Sequence, residues 1–369
     1  MPIPLLDLRA QYAAIRDEVV SALMGVVDSQ LFILGPAVEK LEQQVAELSK
    51  TKYAIGCANG TDALLLALRA LNIGRGDEVI TTPFTFFATA GTIHNVGATP
   101  VFVDIEPQSF NISPEAIGAA ITPKTKAIMP IDLYGHPAAI HELQEIATRH
   151  GLVLIEDACQ AHGAAIGNRK AGALGVSASF SFYPTKNMTT AEGGMVTTDD
   201  DAVAEKVTVL RQHGATQRYR HEVLGYNFRL TDIAAAIGRA QLAKLDRLNE
   251  RRRRNASVLD EGLAGLKGVT TPRERQGYRH VYHQYTVRIA RDRDRFQERL
   301  RDAGIGTAVH YPIPVHRQPL YIDLGYGDVS LPVAEDAAAQ VLSLPVHPAL
   351  SDADLDRIVE TVRKVASTA

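Results

Sequence analysis

Short apolar, β-branched runs alternate with helix-forming segments between residues 50 and 200, and this alternation limits the possible folds more than any other feature. The runs cover residues 78–82, 100–105, 126–131 and 152–155. Segments with helical character follow them, for example at 114–121 and 140–150. Strands that alternate with helices form βαβ units around a mainly parallel sheet. The runs 177–183 and 194–198 follow each other closely, which predicts an antiparallel portion in this α/β sheet.

The chain from residue 199 onward has a different pattern. Helix-rich sequence extends to about residue 266 and contains the polar stretch 244–255. A strand and two helices are predicted after it, at 282–289, 293–303 and 331–343. We therefore expect a large domain with an N-terminal arm at residues 1–244 and a smaller α+β domain at 245–369.

The charge balance gives no reason to expect nucleic acid or an anionic membrane as a partner. The 39 basic and 42 acidic side chains leave a formal net charge of -3, so no global field attracts a polyanion. The basic run 251–254 lies in a polar helical pattern with Asp246 and Glu250 nearby, which is typical of a solvated helix face.

The sequence also favours a cytoplasmic protein. Its N-terminus lacks the basic start and apolar core of a signal peptide, and no apolar run approaches the roughly 20 residues that span a bilayer. The two cysteines, Cys57 and Cys159, lie far apart and form no CxxC pair. This spacing argues against a disulfide framework or a structural zinc site and fits a reducing compartment.

The stretch 58–68 is typical of an anion site. Gly60 and Thr61 come directly before an apolar helical run, so free N–H groups and the positive helix end face whatever lies there. Such a helix start suits a phosphate. In the alternative interpretation, Thr61 or Asp62 is an ordinary helix cap.

A carboxylate follows one of the predicted strands. The run 152–155 leads into Glu156 and Asp157, and ligands of open α/β sheets bind outside the carboxyl ends of strands. A carboxylate there can keep the ring nitrogen of pyridoxal phosphate protonated, with Gln160 and His162 close enough to assist. In the alternative, Asp157 caps a following helix.

Lys186 follows another predicted strand and a proline turn, and a double glycine comes soon after it. A partly desolvated amine at a strand end has a lowered pKa and can act as a nucleophile. The alternative is a solvated surface lysine. The apolar approach to Lys186 favours the first interpretation.

In order and spacing, these three stretches resemble the DegT/DnrJ family of sugar-nucleotide aminotransferases, which are fold-type-I enzymes dependent on pyridoxal phosphate. The resemblance extends from 6–8 and 33–36 to 344–347. It implies a large domain with a mixed, mainly parallel sheet flanked by helices, and a smaller α+β C-terminal domain. The runs 227–229 and 310–312 look most similar to members that aminate a 3-keto sugar.

The resemblance also implies a role for each matching residue. Lys186 would hold the cofactor as a Schiff base and move protons, with Asp157 as its catalytic partner at the pyridine nitrogen. The other cofactor contacts would be Gly60, Thr61, Asp62 and Ser181 at the phosphate, Phe86 stacked on the ring, and Gln160 near the phenolic oxygen.

The stretch 225–238 matches the family as well. By position, Asn227 would reach the cofactor phosphate of a neighbouring subunit, which implies a homodimer with shared active sites. Arg229 would point toward the substrate. Thr231 is expected to cap the helix that begins there.

The loop 308–321 contains three prolines, two histidines and two tyrosines. The resemblance implies that it lines the substrate cleft and that His310 and Tyr311 contact the sugar. A metal site at His310 and His316 is the competing interpretation. Neither an acidic nor a cysteine ligand accompanies the two histidines, so we expect no metal.

The implied reaction moves an amino group from an amino acid, L-glutamate, to a UDP- or dTDP-linked keto-sugar, giving an amino sugar for polysaccharide or natural-product biosynthesis. C4-specific relatives share the cofactor residues, so a C4-aminating enzyme is an alternative. A deoxysugar dehydratase would have histidine in place of Lys186. A cofactor-binding regulator without turnover is the remaining alternative, and the intact set Asp157, Gln160 and Lys186 argues against it.

Overall fold

The structure, a computed structural model, describes residues 2–367 as a mixture of helices and strands. The strands are β1 (Tyr53–Cys57), β2 (Glu78–Thr81), β3 (Thr99–Phe102), β4 (Thr125–Ile128), β5 (Val153–Asp157), β6 (Ala165–Ile166), β7 (Arg169–Lys170), β8 (Ser177–Ser181), β9 (Gly194–Thr198), β10 (Ala215–Gln217), β11 (Arg220–His221), β12 (Val269–Thr270), β13 (Tyr278–Arg279), β14 (Tyr285–Ile289) and β15 (Val341–Leu344). The α-helices are α1 (Leu8–Ala13), α2 (Arg16–Ser29), α3 (Pro36–Ser49), α4 (Gly60–Ala70), α5 (Ala88–Asn95), α6 (Pro114–Ile117), α7 (Ile140–His150), α8 (Asp201–Leu210), α9 (Asp232–Leu242), α10 (Leu245–Leu263), α11 (Arg293–Asp302), α12 (Pro319–Tyr321), α13 (Pro332–Gln340) and α14 (Asp352–Ala366).

A seven-stranded sheet forms the centre of the molecule, in the order β1-β9-β8-β5-β4-β2-β3. Within this sheet, β9 runs antiparallel to both of its neighbours, and the other strand pairs are parallel. The predicted mixed, mainly parallel sheet is therefore confirmed. The predicted antiparallel portion is also confirmed, since β8 and β9 pair from Ser177↔Thr198 to Ser181↔Gly194.

Helix α4 shows how the sequence places a helix end at the edge of this sheet. Most of its apolar side chains are buried, among them Leu64, Leu66 and Leu68, each at most 2% exposed. A helix with a wide apolar face packs against several neighbours, and α4 contacts β8, β9, α5 and α8. Its N-terminus, directly after β1, is thereby fixed above the sheet.

A second, antiparallel sheet lies in the C-terminal part, in the order β12-β14-β15. Its apolar side packs with side chains of α10, α11 and α14 in one core, which includes Leu259, Val287, Phe296 and Ile358. Ile3 joins the same core, and its backbone pairs with residues 304–306. The division at 244/245 stays a prediction.

The prediction of one helix at 331–343 is wrong at its end. Helix α13 stops at Gln340, and the next four residues form β15. All four are buried, and their backbone pairs with β14 from Tyr285↔Leu344 to Arg288↔Val341. Pairing with a distant strand therefore overrides the local helical pattern, a competition that sequence periodicity does not register.

Two other predicted boundaries differ by a few residues. The predicted helix 114–121 is α-helical only to Ile117 and tightens into a 3-10 turn at Gly118–Ala120. The predicted strand 282–289 begins at Tyr285. None of the helices in residues 2–367 combines the length and apolar character that crossing a bilayer requires.

Candidate active site

A cavity of about 580 Å³ opens at the carboxyl ends of the parallel strands. Its walls come from segments that follow β1, β2, β5 and β8, together with residues of the C-terminal half. This edge is where ligands of open α/β sheets bind. The predicted site residues that line the cavity are Gly60, Thr61, Phe86, Asp157, Gln160, Ser181, Lys186, His310 and Tyr311.

Lys186 lies on the turn that follows β8, where its backbone N–H donates to the carbonyl of Tyr183 at 3.0 Å. Its side chain lines the cavity. Burial lowers the pKa of Lys186, while Cys159 and Asp157 act in the opposite direction. Because a lower pKa leaves more of the amine neutral, this environment favours a nucleophile over a solvated surface lysine.

Asp157 is the last residue of β5 and is only 4% exposed. The hydroxyl of Thr89 donates to its carboxylate at 2.8 Å, and the backbone N–H of Cys159 donates at 3.2 Å. Since Thr89 gives its only hydroxyl proton to Asp157, the hydroxyl of Thr85, 2.9 Å away, donates to Thr89. These bonds fix the orientation of the carboxylate. Turns rather than a helix follow Asp157, so the helix-cap interpretation is wrong.

The start of α4 meets β8 at very short range. A Cβ at Gly60 would lie 2.5 Å from the Cβ of Ser181, so glycine lets the Ser181 hydroxyl stand beside the free N–H groups of the helix start. Such a cradle fits a phosphate group. The cap of α4 is Asn59, whose side chain accepts from the N–H of Asp62 at 2.9 Å, so the interpretation of Thr61 or Asp62 as the cap is wrong.

Asp62 is not among the residues that line the cavity, unlike the phosphate candidates Gly60, Thr61 and Ser181. Its carboxylate accepts from the side-chain amide of Asn59 at 2.9 Å. Burial raises the pKa of Asp62 to about 6, with a further contribution from the charge of Glu192. Asp62 therefore contacts the cap residue Asn59 rather than the cavity.

Gln160 connects two walls of the cavity. Its Oε1 accepts from the backbone N–H of Tyr134 at 2.7 Å, and its Nε2 donates to the hydroxyl of Tyr311 at 3.1 Å. Burial raises the pKa of Tyr311, so its phenol stays protonated. Phe86 is 58% exposed at the cavity wall, with its ring centroid 6.2 Å from that of Tyr311.

The two histidines of the loop 308–321 have different surroundings. Nδ1 of His310 lies 2.9 Å from the hydroxyl of Ser343, and burial lowers the pKa of His310 to about 4, with help from the charge of Lys186. Nε2 of His316 lies 3.0 Å from the carboxylate of Glu335. The hydroxyl of Tyr134 donates to the His310 carbonyl, which ties this loop to the large sheet.

Asn227 and Arg229 do not line the cavity of their own chain. Asn227 is exposed and forms a backbone bridge with Gln212, whereas Arg229 is half-buried and bridges Cys57. Thr231 caps α9, as expected, and accepts from the N–H of Ala234 at 3.2 Å.

Sequence reasoning missed several residues of the cavity. Thr85 and Thr89 lie in the same short run as Phe86, and two threonines four residues apart beside a helix start were the available signal. His283 and Gln284 also line the cavity, but about 100 residues separate them from Lys186 and no motif marks them. His162 was expected to assist at the site, yet it packs against Phe180 and Phe182, and burial lowers its pKa to about 3.

Enzymes that use pyridoxal phosphate need an amine that can become neutral, a carboxylate for the ring nitrogen and an anion site, and one cavity here brings the corresponding groups together. Residues 13–363 match the DegT/DnrJ/EryC1/StrS aminotransferase family. The chain belongs to this family, as the motifs indicated. It is a pyridoxal-phosphate-dependent aminotransferase.

Two characterised relatives cover the chain almost completely. The chain is 49% identical to a pleiotropic regulatory protein from Geobacillus stearothermophilus, over 98% of each chain. It is 45% identical to a UDP-N-acetyl-3-dehydro-α-D-glucosamine 3-aminotransferase from Acidithiobacillus ferrooxidans, over 98% of this chain and 97% of the relative.

Two crystal structures share the fold. DesV from S. venezuelae, in complex with a ketimine intermediate, is 44% identical and superposes with a TM-score of 0.96, covering 99% of this chain and 98% of DesV. NtdA from Bacillus subtilis, with bound cofactor PMP, is 31% identical with a TM-score of 0.93, covering 99% of this chain and 85% of NtdA. The predicted fold-type-I architecture is thereby confirmed.

Proposed function

We propose that the chain transfers an amino group from L-glutamate to a 3-keto-sugar linked to UDP or dTDP, giving an amino sugar for polysaccharide or natural-product biosynthesis. The observation that carries the proposal is that Lys186, half-buried and with its pKa lowered by burial, shares one cavity with the strand-end carboxylate of Asp157. The C3 position is supported by the name of the Acidithiobacillus relative and by the runs 227–229 and 310–312.

The cavity residues fit pyridoxal phosphate. The start of α4 at Gly60 and Thr61, with the hydroxyl of Ser181 beside it, suits the phosphate. The carboxylate of Asp157 suits the protonated ring nitrogen, and Phe86 offers a flat apolar face for the ring. We assign Gln160 to the phenolic oxygen, and Asp62 to the support of the Asn59 cap rather than to direct phosphate contact.

The proposed catalytic work of the chain is to move and hold protons at stated atoms. Pyridoxal phosphate, when bound, supplies an aldehyde that condenses with amines and a ring that takes up electrons. Nζ of Lys186, whose pKa is lowered by burial, would take a proton from the α-carbon of the amino donor in the first half-reaction and would deliver a proton to the sugar carbon in the second. Asp157 holds the proton on the ring nitrogen, and its bond from Thr89 keeps it oriented.

We assign His310 and Tyr311, which line the cavity, to the substrate. Both can contact sugar hydroxyls. Burial keeps His310 neutral and Tyr311 protonated, so both can serve as uncharged hydrogen-bonding groups for a sugar.

The proposed working unit is a homodimer whose active sites are shared. Asn227 is exposed and outside the cavity of its own chain, so it is available to a cofactor phosphate in a second copy. Arg229, two residues further, would face the diphosphate or a carboxylate of the substrate. A twofold axis would then give each site residues from both subunits.

The function is tested by replacing Lys186 with alanine. We expect Lys186→Ala to lose the visible absorption band of the lysine-bound cofactor and all turnover of glutamate with UDP- or dTDP-linked 3-keto sugars. Lys126→Ala is the control, because Lys126 is an exposed lysine of β4. A Lys186→Ala protein with full turnover would refute the assignment.

Sharing of sites is tested by mixing two inactive proteins. Lys186→Ala and Asn227→Ala dimers are dissociated and then mixed so that hybrid dimers form. In a hybrid dimer, one site combines Lys186 of the Asn227→Ala subunit with Asn227 of the Lys186→Ala subunit, so that site is wild type. With random reassortment, we expect activity to return to about a quarter of the wild-type value, because half of the dimers are hybrids with one intact site. Activity that stays at the level of the separate variants would show that each site belongs to one chain.

The same assay separates the remaining alternatives. Product formation is compared between 3-keto and 4-keto sugars, and turnover only of the latter would mean a C4-aminating enzyme. The name of the Geobacillus relative favours a second candidate, a regulator that binds the cofactor. A protein that binds pyridoxal phosphate, and whose visible spectrum does not change when glutamate is added, would support that regulator.

The compartment we propose for the chain is the reducing cytoplasm, which its two free cysteines, Cys57 and Cys159, support.

A further inference from the structure

His283 lines the cavity, and the roles assigned above do not use it. It is only 6% exposed, and its place is fixed by its backbone neighbours. The N–H of Gln284 donates to the carbonyl of Tyr134 at 3.3 Å, and the guanidinium of Arg252 donates to the carbonyl of His283 at 3.4 Å. These bonds position the backbone that carries the imidazole, and the low exposure of His283 places its ring in the wall of the site.

The position of the ring proton follows from the burial of one nitrogen. Burial, with the nearby charge of Lys186, keeps the pKa of His283 well below its usual value, so the ring is neutral and one nitrogen carries hydrogen. Nδ1 is sealed from solvent and has no hydrogen-bond partner within residues 2–367. A buried N–H without an acceptor is rarer and costlier than an unused lone pair. The proton therefore belongs on Nε2, the nitrogen that is not sealed.

We propose that His283 is a substrate-binding residue that donates a hydrogen bond from Nε2 to an oxygen of the substrate held beside Lys186. The acceptor is a carboxylate oxygen of the amino donor or a carbonyl or hydroxyl oxygen of the keto-sugar. A neutral imidazole suits both, because it can polarise or orient an oxygen without giving up its proton. The inference rests on the proposed function, since both oxygens belong to the substrates named there.

Three substitutions at one position test the donor. His283→Gln puts an amide N–H near the place of Nε2, His283→Asn puts it near the place of Nδ1, and His283→Phe keeps a ring without a donor. We expect the Gln variant to stay within about 3-fold of wild type, whereas the Asn and Phe variants lose about 10-fold or more in the affected half-reaction. Asn and Phe variants as fast as wild type, or a Gln variant as slow as they are, would overturn the proposal.

Two single-turnover arms identify the acceptor. In the first, L-glutamate is mixed with the holoenzyme; in the second, the keto-sugar is mixed with enzyme already aminated by glutamate. Slowing of one arm assigns the hydrogen bond to that substrate, and slowing of both assigns it to both. A wild-type enzyme with no turnover would instead contradict the proposed function. The protonation of His283 would then be tested by NMR alone, as follows.

That measurement does not depend on activity. Nitrogen NMR of histidine-labelled protein, compared with His283→Gln to identify the signal, reports which ring nitrogen is protonated. We expect a neutral ring with hydrogen on Nε2. Hydrogen on Nδ1 would refute the proposal whatever the kinetics. The visible band and the thermal unfolding midpoint of each variant show whether cofactor loading and folding are intact.

Discussion

Thr89→Val removes the 2.8 Å hydrogen bond that Thr89 donates to the carboxylate of Asp157, and it also removes the acceptor of the Thr85 hydroxyl. Valine is close to threonine in volume, so the packing of the buried position in α5 is largely kept, and the bond to Asp157 is the one that bears on the chemistry. A hydrogen bond to a charged group contributes about 1.5–3 kcal/mol. Because Asp157 is 4% exposed, water does not replace the lost donor.

The expected result is a slower chemical step. If the full loss falls on the transition state, in which the ring nitrogen must stay protonated, the single-turnover rate with glutamate falls about 10- to 100-fold, since 1.4 kcal/mol corresponds to a factor of ten. The assay is stopped-flow decay of the visible band at saturating glutamate. The equilibrium affinity for the cofactor should change less than this rate, because the substitution leaves the phosphate site at the start of α4 unchanged.

Thr92→Val is the matched control. Thr92 lies one turn further along α5, is fully buried, and donates to the backbone carbonyl of Thr89 at 3.0 Å. Its replacement removes a neutral hydrogen bond, which costs about 1 kcal/mol of stability, and leaves Asp157 untouched. Equal rates for the two variants, or a Thr89→Val rate within experimental error of wild type, would mean that this hydrogen bond does not support the ring nitrogen.

Two further substitutions test the anion site and a buried histidine. Gly60→Ala should weaken cofactor binding by about 10-fold or more, because its Cβ would collide with Ser181. Gly25→Ala meets nothing within 4 Å and should raise the free energy of unfolding by about 0.5–1 kcal/mol. Cofactor titration measures the first effect and urea unfolding the second, and a Gly60→Ala protein that binds the cofactor as tightly as wild type would refute the first. The pKa of His162 is lowered from 6.5 to about 3, so protonation favours the unfolded chain, and wild type loses free energy of unfolding as the pH falls from 6.5 toward 3. His162→Leu should lack this loss, so between neutral pH and about pH 5 the wild type should lose about 2 kcal/mol more than the variant in urea unfolding. A difference between the two proteins that does not change with pH would contradict the lowered pKa.

The central sheet could be predicted because its signal is local. Strands such as β5 and β8 are short, apolar and followed by turns, and each fixes where its carboxyl end lies. Since parallel strands end at one edge, Asp157 and Lys186 could be expected near each other from sequence order alone. The site residues contributed by these strand ends do line one cavity.

The parts that could not be predicted depend on contacts between distant segments. The helix predicted over 331–343 became partly a strand because β14 offered hydrogen bonds to Val341–Leu344. The cap of α4 is a different case, because Asn59 lies directly before the helix and its side chain accepts from the N–H of Asp62. The interpretation of Thr61 or Asp62 as the cap misses this local signal.

A loop of the large sheet, at Tyr134, connects the C-terminal half of the chain to the site. The backbone of Tyr134 donates to Gln160 and accepts from Gln284, and its hydroxyl donates to the carbonyl of His310. Gln160, which also bonds Tyr311, is therefore connected to both halves of the molecule. The wall at Gln160 and Tyr311 thus depends on contacts between the two halves, whereas Asp157 and Lys186 lie at or just after the ends of β5 and β8. The strand-end motifs therefore indicate the cofactor, and they carry no information on the sugar.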